Sequence, residues 1–121
     1  MKTTDAVRAL AALSQDTRLD VFRLLVRQGA SGLAAGEIAE ELGVSPATLS
    51  FHLKELAYAK LVSARQDGRF VFYSANFAEM NRLLAFLTEN CCAADGGACA
   101  PTTARCAPSS TTRKSRRKEP A

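Results

Sequence analysis

The sequence predicts a mainly α-helical domain that carries one β-hairpin, with its elements in the order ααααββα. Apolar residues recur at helical spacing in several runs over 5–58 and again over 77–89. Residues 60–74 change to short β-rich runs around a polar turn, which is typical of a hairpin. The chain then becomes rich in Ala, Gly, Pro, Ser and Thr, a composition that buries too little apolar surface to fold. We therefore expect a domain over residues 1–90 and a flexible tail, basic at its end, over 91–121.

Two helices open the predicted domain. Residues 5–13 place alanine, valine and leucine at helical spacing, and a second helix follows that is capped by either Ser14 or Asp16. That second helix ends before Gly29, because glycine commonly terminates a helix at this position. The small residues of 30–36 then predict a flexible linker.

The next two helices form a helix-turn-helix pattern around Gly43, which permits the turn between them. Ser45 is the expected cap of the second of these helices, and Pro46 occupies its first position, where proline costs no hydrogen bond. One face of that helix carries the apolar residues Leu49, Leu53 and Leu56. The opposite face is small and hydroxyl-rich, which suits entry into the major groove of DNA. The candidate DNA-contacting residues of this helix are Ser45, Thr48, Ser50, Phe51 and His52.

A β-hairpin follows the helix-turn-helix directly, and this order is that of a winged helix-turn-helix rather than of an ordinary helical hairpin. Asp67-Gly68 supplies the turn signal, and Arg69 beside it is the candidate phosphate contact of the wing. Asn76 followed by Glu79 resembles a capping box and predicts the start of the last helix.

Composition and charge limit the class of protein. The net charge of +4 belongs to residues 107–121, which hold five basic residues against one acidic residue, so residues 1–106 are neutral overall. Any DNA affinity of the domain must therefore come from local arrangement. No apolar run approaches the ~20 residues of a membrane span, and the N-terminus lacks a signal-peptide layout, so we expect a cytoplasmic protein with no membrane partner. No phosphate loop, nucleotide fingerprint or Ser/His/Asp set indicates an enzyme.

The cysteines are concentrated in one 16-residue stretch, as Cys91, Cys92, Cys99 and Cys106. In a reducing compartment such a cluster indicates metal binding or redox sensing rather than structural disulfides. Soft thiolates select soft ions, and the paired spacing typical of zinc knuckles is missing here. As(III) or Sb(III) takes three thiolates, which the adjacent pair and a third cysteine across the Gly96-Gly97 loop can supply. The shorter loop slightly favours Cys99 over Cys106 as that third ligand.

Three stretches, residues 13–19, 48–56 and 68–74, resemble in order the motifs of the ArsR/SmtB family of metalloregulatory repressors. The resemblance implies a homodimer that binds an inverted-repeat operator and leaves it when a metal or metalloid binds. It also implies a dimer interface made by the first and last helices. Their apolar stripes suit such an interface and equally suit a monomer core; they comprise Val7, Leu10, Leu83, Leu84 and Leu87.

Departures from the family pattern narrow the choice of inducer site. The positions at which many arsenic-sensing members carry a Cys-x-Cys pair are Ala34 and Gly36 here, and the single histidine, His52, lies in the recognition helix. Some arsenic-responsive members instead resemble this chain in carrying a vicinal cysteine pair after the last helix and a third cysteine a few residues on. The resemblance thus implies Cys91, Cys92 and Cys99 as ligands, with Cys106 as an alternative.

Taken together, these features predict a transcriptional repressor that is released from operator DNA by As(III), or by Sb(III), and that needs no cofactor when bound to DNA. The alternative is a thiol-based redox regulator, in which oxidation joins Cys91 or Cys92 to Cys99 or Cys106. A metal-sequestering chaperone would leave the helix-turn-helix without a purpose.

Overall fold

The computed structural model describes residues 1–95 of the chain and divides it into two units, Met1–Leu87 and Thr88–Ala121. The first unit contains five helices and three strands. In chain order they are α1 (Thr3–Leu13), α2 (Asp16–Gln28), β1 (Leu33–Ala34), α3 (Ala35–Leu42), α4 (Pro46–Tyr58), β2 (Val62–Asp67), β3 (Phe70–Ala75) and α5 (Phe77–Leu87). The predicted α+β winged helix-turn-helix is thereby confirmed, with one strand added. Over residues 1–95, every helix lacks the length and apolarity that crossing a bilayer would require.

The added strand corrects the prediction of a linker over residues 30–36. β1 pairs antiparallel with β3, so that Leu33 lies opposite Tyr73, and the sheet has the order β1-β3-β2. Gly32 leads into the strand with φ of 72°, and a Cβ there would overlap the carbonyl oxygen of Tyr73. A strand of two residues is too short to produce a period in the sequence, which is why the pattern did not show it.

The helix boundaries follow local capping interactions. α2 is capped by Gln15, whose Oε1 accepts from the N–H of Arg18 at 3.0 Å, and not by Ser14 or Asp16 as predicted. Gly29 ends α2 with φ of 86°, and Gly43 ends α3 in the left-handed conformation, both as predicted.

The last helix begins with half of the predicted capping box. Asn76 Oδ1 accepts from the N–H of Glu79 at 3.2 Å, and the Asn76 amide donates to the carbonyl of Lys60 at 3.0 Å. The Glu79 carboxylate pairs with Arg82 at 3.3 Å instead of returning to the backbone N–H of Asn76. That N–H is already taken by the carbonyl oxygen of Leu61, at 2.8 Å.

The core of the first unit lies between the helices and the base of the hairpin. The buried residues of α1 are all small, which allows close helix approach: Ala6, Ala9 and Ala12. Its largest fully buried side chains are Val21, Leu25, Ile38, Leu49, Leu53, Leu56 and Leu61. The apolar stripes of α1 and α5 are split by this packing, because Leu83 enters the core while Val7 and Leu87 stay 58% and 54% exposed. The exposed apolar residues of these two helices are thus available to pack against another protein surface.

Candidate DNA-binding interface and thiol site

The turn between α3 and α4 fixes how the recognition helix begins. After Gly43, the N–H of Val44 donates to the carbonyl of Ala39 at 3.1 Å, which closes the end of α3. Ser45 then caps α4, since its Oγ accepts from the N–H of Thr48 at 3.2 Å. The Ser45 hydroxyl also donates to Thr48 Oγ1 at 2.9 Å. Both hydrogen bonds of the Ser45 hydroxyl are thus made within the start of the helix, while the proton of the Thr48 hydroxyl stays available to a ligand.

The outer face of α4 is exposed as the sequence predicts. Ala47, Thr48, Ser50 and Phe51 are all accessible to solvent, and Phe51 is 56% exposed. The opposite face buries Leu49, Leu53 and Leu56, as expected. An amphipathic helix is thus anchored by leucines and presents hydroxyls and one aromatic ring outward.

His52 does not belong to this outer face, which corrects its predicted placement. Its side chain is only 8% exposed, and its Nδ1 lies 3.3 Å from Nη1 of Arg18. Arg18 in turn donates from Nε to the carbonyl oxygen of Ala12 at 2.7 Å. Burial, and secondly the positive charge of Arg18, lower the pKa of His52 below its ordinary value of 6.5. A neutral His52 therefore joins the recognition helix to the end of α1 through Arg18.

The wing is the hairpin of β2 and β3, and a two-residue turn joins its strands. Asp67 pairs with Phe70, so the turn consists of Gly68 and Arg69, one residue further on than the predicted Asp67-Gly68. Gly68 takes φ of 65°, a conformation that glycine adopts without strain. Arg69 is exposed at this tip, which is compatible with a phosphate contact.

A second wing arginine was missed by the sequence analysis. Arg65 lies opposite Phe72 across the hairpin, and its guanidinium carbon is 5.2 Å from the centre of that ring. The side chain is exposed, so it adds positive charge to the same wing as Arg69. Counting residues outward from the turn pairs Arg65 with Phe72, and this cross-strand pair was the sequence signal that would have identified it.

The second unit holds the vicinal cysteines in a tight turn after α5. The N–H of Cys91 donates to the carbonyl of Thr88, and that of Ala93 to Asn90, each at 3.0 Å. Asn90 and Cys92 both have positive φ, of 57° and 61°. This turn is followed by a short 3₁₀ segment, Ala93–Asp95.

The turn brings the two sulfurs together. Cys91 Sγ and Cys92 Sγ are 3.4 Å apart, Cys91 being exposed and Cys92 partly so. This separation exceeds the S–S bond of about 2.05 Å, so the two sulfurs are not bonded to each other. Cys99 and Cys106 lie outside the described residues. Within residues 1–95, no three His, Cys, Asp or Glu side chains converge to hold a metal ion.

Comparison with known proteins agrees with this geometry. A family profile described as a helix-turn-helix domain matches residues 13–63. The transcriptional repressor SdpR of Bacillus subtilis is 35% identical over 82 residues, which cover 64% of this chain and 88% of the relative. A solved ArsR-like transcriptional regulator from Rhodococcus sp. RHA1 is 30% identical with a TM-score of 0.65, covering 77% of this chain and 84% of that one. The chain belongs to the ArsR-like family of winged helix-turn-helix regulators.

Two further members of the ArsR-like family share this fold or sequence. The arsenical resistance operon repressor of Bacillus subtilis is 32% identical over 81 residues, covering 67% of this chain and 73% of the relative. A homodimeric winged helix-turn-helix DNA-binding domain from Mycobacterium bovis is 30% identical with a TM-score of 0.60, covering 76% of this chain and 80% of that one. As a member of this family, the chain is a DNA-binding transcriptional repressor and not an enzyme.

Proposed function

We propose that this ArsR-like repressor is a homodimer that binds an inverted-repeat operator and is released when As(III) or Sb(III) binds Cys91, Cys92 and Cys99. The observation that carries the proposal is the vicinal thiol pair with sulfurs 3.4 Å apart. Two thiolates bound to one soft ion at about 2.3 Å, the Zn–S distance, lie within about 4.6 Å of each other. The turn at Cys91-Cys92 thus supports the binding of one soft ion by both sulfurs.

The DNA side of the proposal assigns the outer face of α4 and the wing to the operator. Thr48, Ser50 and Phe51 would contact the major groove, with Ser45 at the helix start and Arg69 at the wing tip. Arg65 joins the proposed phosphate contacts, whereas His52 leaves the set because it is buried.

The dimer is supported by the exposed apolar residues and by the homodimeric Mycobacterium bovis domain. Val7, Leu10 and Leu87 are 58%, 43% and 54% exposed, so these helices offer apolar surface that a second copy of the chain could cover. A two-fold axis would place two recognition helices about one DNA turn, roughly 34 Å, apart and thus predicts an inverted repeat.

The choice of As(III) rests on the thiol chemistry and on the likeness to the arsenical resistance operon repressor. A pyramidal trivalent ion needs one more thiolate than the vicinal pair supplies. We assign that ligand to Cys99, with Cys106 as the alternative. Release from DNA then requires a coupling free energy of about 1–3 kcal/mol between the two sites.

A mobility-shift titration on an upstream inverted repeat tests the proposal. Arsenite should release the wild-type protein, and Cys91→Ser and Cys92→Ser should each block the release while leaving DNA binding without arsenite unchanged. Antimonite, cadmium and zinc are the comparison ions. Unchanged release in both serine variants would refute the assignment.

The redox alternative uses Cys91 or Cys92 together with a more distant cysteine. A disulfide between adjacent residues is strained, so oxidation would more readily pair one of them with Cys99 or Cys106. Peroxide should then release the protein from DNA without any metalloid, and arsenite under anaerobic reducing conditions should have no effect. The opposite pattern supports the metalloid.

A further inference from the structure

We propose that Phe51 recognises the C5-methyl group of a thymine in the major groove, and that His52 and Arg18 position its ring. The inference rests on the proposed binding of operator DNA by the outer face of α4. It adds the chemical group that this face selects.

The chemistry of the outer face favours an apolar contact to a base. Between Pro46 and Leu53, this helix carries no Arg, Lys, Asn or Gln, the side chains that make bidentate hydrogen bonds to guanine or adenine. The hydroxyls of Thr48 and Ser50 can serve several bases and discriminate weakly among them. The thymine methyl is the apolar group that distinguishes a base pair at the edge of the major groove. Phe51 is the large apolar side chain that this face exposes, at 56%.

The ring of Phe51 is supported from the buried side. Its centroid lies 5.5 Å from that of His52, with an angle of 63° between the ring planes, which is an edge-to-face contact. His52 itself is held by Arg18 at 3.3 Å, and Arg18 by the carbonyl oxygen of Ala12 at 2.7 Å. A series of contacts thus runs from the end of α1 to the exposed ring.

The protonation state of His52 follows from its partner. A guanidinium only donates hydrogen bonds, so Nδ1 of His52 must accept, and the ring proton resides on Nε2. Burial and the charge of Arg18 lower the pKa of His52, which keeps the imidazole neutral. The support beneath Phe51 is therefore present at neutral pH.

The decisive experiment replaces thymine by deoxyuridine, which removes only the C5-methyl group. The duplex is one selected from a random library by the full-length protein, and each thymine is replaced in turn in both half-sites. We expect one position to cost about fourfold in affinity per half-site, or about 15-fold in total, the value of burying one methyl group. In Phe51→Ala, the same replacement should cost less than twofold.

Tyr58→Ala is the matched control, because Tyr58 is an aromatic residue at the other end of the same helix and is 73% exposed. This variant should retain the full loss on deoxyuridine replacement. Phe51 is exposed as well, so its replacement does not threaten the core and the comparison stays decisive.

The positioning role is tested on the same ratio of affinities for thymine and deoxyuridine. His52→Asn keeps an acceptor for Arg18 but removes the ring that contacts Phe51, and His52→Leu removes both the ring and the acceptor, so both variants should reduce the discrimination, His52→Leu to below twofold. If both variants retain the full discrimination, His52 does not position the ring.

The outcomes separate this inference from the function on which it rests. Failure to select any DNA sequence would contradict the repressor proposal itself. Selective binding without a thymine methyl effect, or with one that persists in Phe51→Ala, would overturn the recognition of thymine by Phe51 and would leave the proposed function intact.

Discussion

The winged domain and the vicinal cysteine turn differ in how their structure supports their proposed tasks. In the domain, the recognition helix α4 is anchored by its buried leucine face, and Phe51 contacts the buried His52, which lies against Arg18. In the turn, Cys91 and Cys92 are brought together by local backbone geometry, including positive φ at Cys92. The comparison teaches that, in the proposed function, DNA recognition depends on core packing, whereas ion capture depends on the local geometry of one short segment.

The largest expected effect is a loss of stability in the winged domain. Leu56→Ala removes a fully buried side chain of α4, at 0% exposure, and should lower the free energy of unfolding by about 2–5 kcal/mol. Urea unfolding followed by circular dichroism measures the change. Cys91→Ser, at an exposed site, should stay within about 0.5 kcal/mol of the wild type. Equal losses in the two variants would show that the thiol turn is part of the cooperative core.

A smaller effect concerns the start of the recognition helix. Ser45→Ala removes the cap of α4 and should cost about 1 kcal/mol of stability, because the N–H of Thr48 loses its acceptor. Ser50→Ala on the same exposed face is the control and should be neutral within about 0.5 kcal/mol. A cost for Ser50→Ala as large as that for Ser45→Ala would contradict the capping role.

The smallest expected effect is the pH dependence from His52. Its pKa is lowered in the folded state relative to 6.5, by burial first and by Arg18 second, so the unfolded chain binds more protons just below that pH. The contribution of His52 to stability is therefore complete above pH 6.5 and is lost as the pH falls toward its folded-state pKa. His52→Asn should flatten the dependence of the unfolding free energy on pH in this window. An identical slope in the variant would assign the effect to other groups.

The sequence predicted most of the domain because its elements are long and periodic. The five helices and the hairpin each carry several apolar residues at the right spacing, and Gly29, Gly43 and Pro46 mark boundaries that the structure confirms. β1 was missed because two residues cannot show a period, and Gln15 was missed because glutamine is not a typical helix cap.

The placement of His52 failed for a different reason. Leu49, His52, Leu53 and Leu56 have the complete i, i+3, i+4, i+7 spacing of a buried helix face. The polar identity of His52 outweighed that spacing, since histidine is only sometimes buried. Its partner Arg18 comes from another helix, and a sequence does not show which side chains meet across helices.

The central claim is that operator binding and thiol occupancy are coupled, and reciprocal binding tests it most directly. As(III) affinity is measured on the full-length protein alone and saturated with operator DNA, alongside the operator affinity with and without arsenite. We predict that DNA weakens As(III) binding by the same factor, about 5- to 150-fold, by which arsenite weakens DNA binding. As(III) binding of equal affinity with and without operator DNA would contradict it.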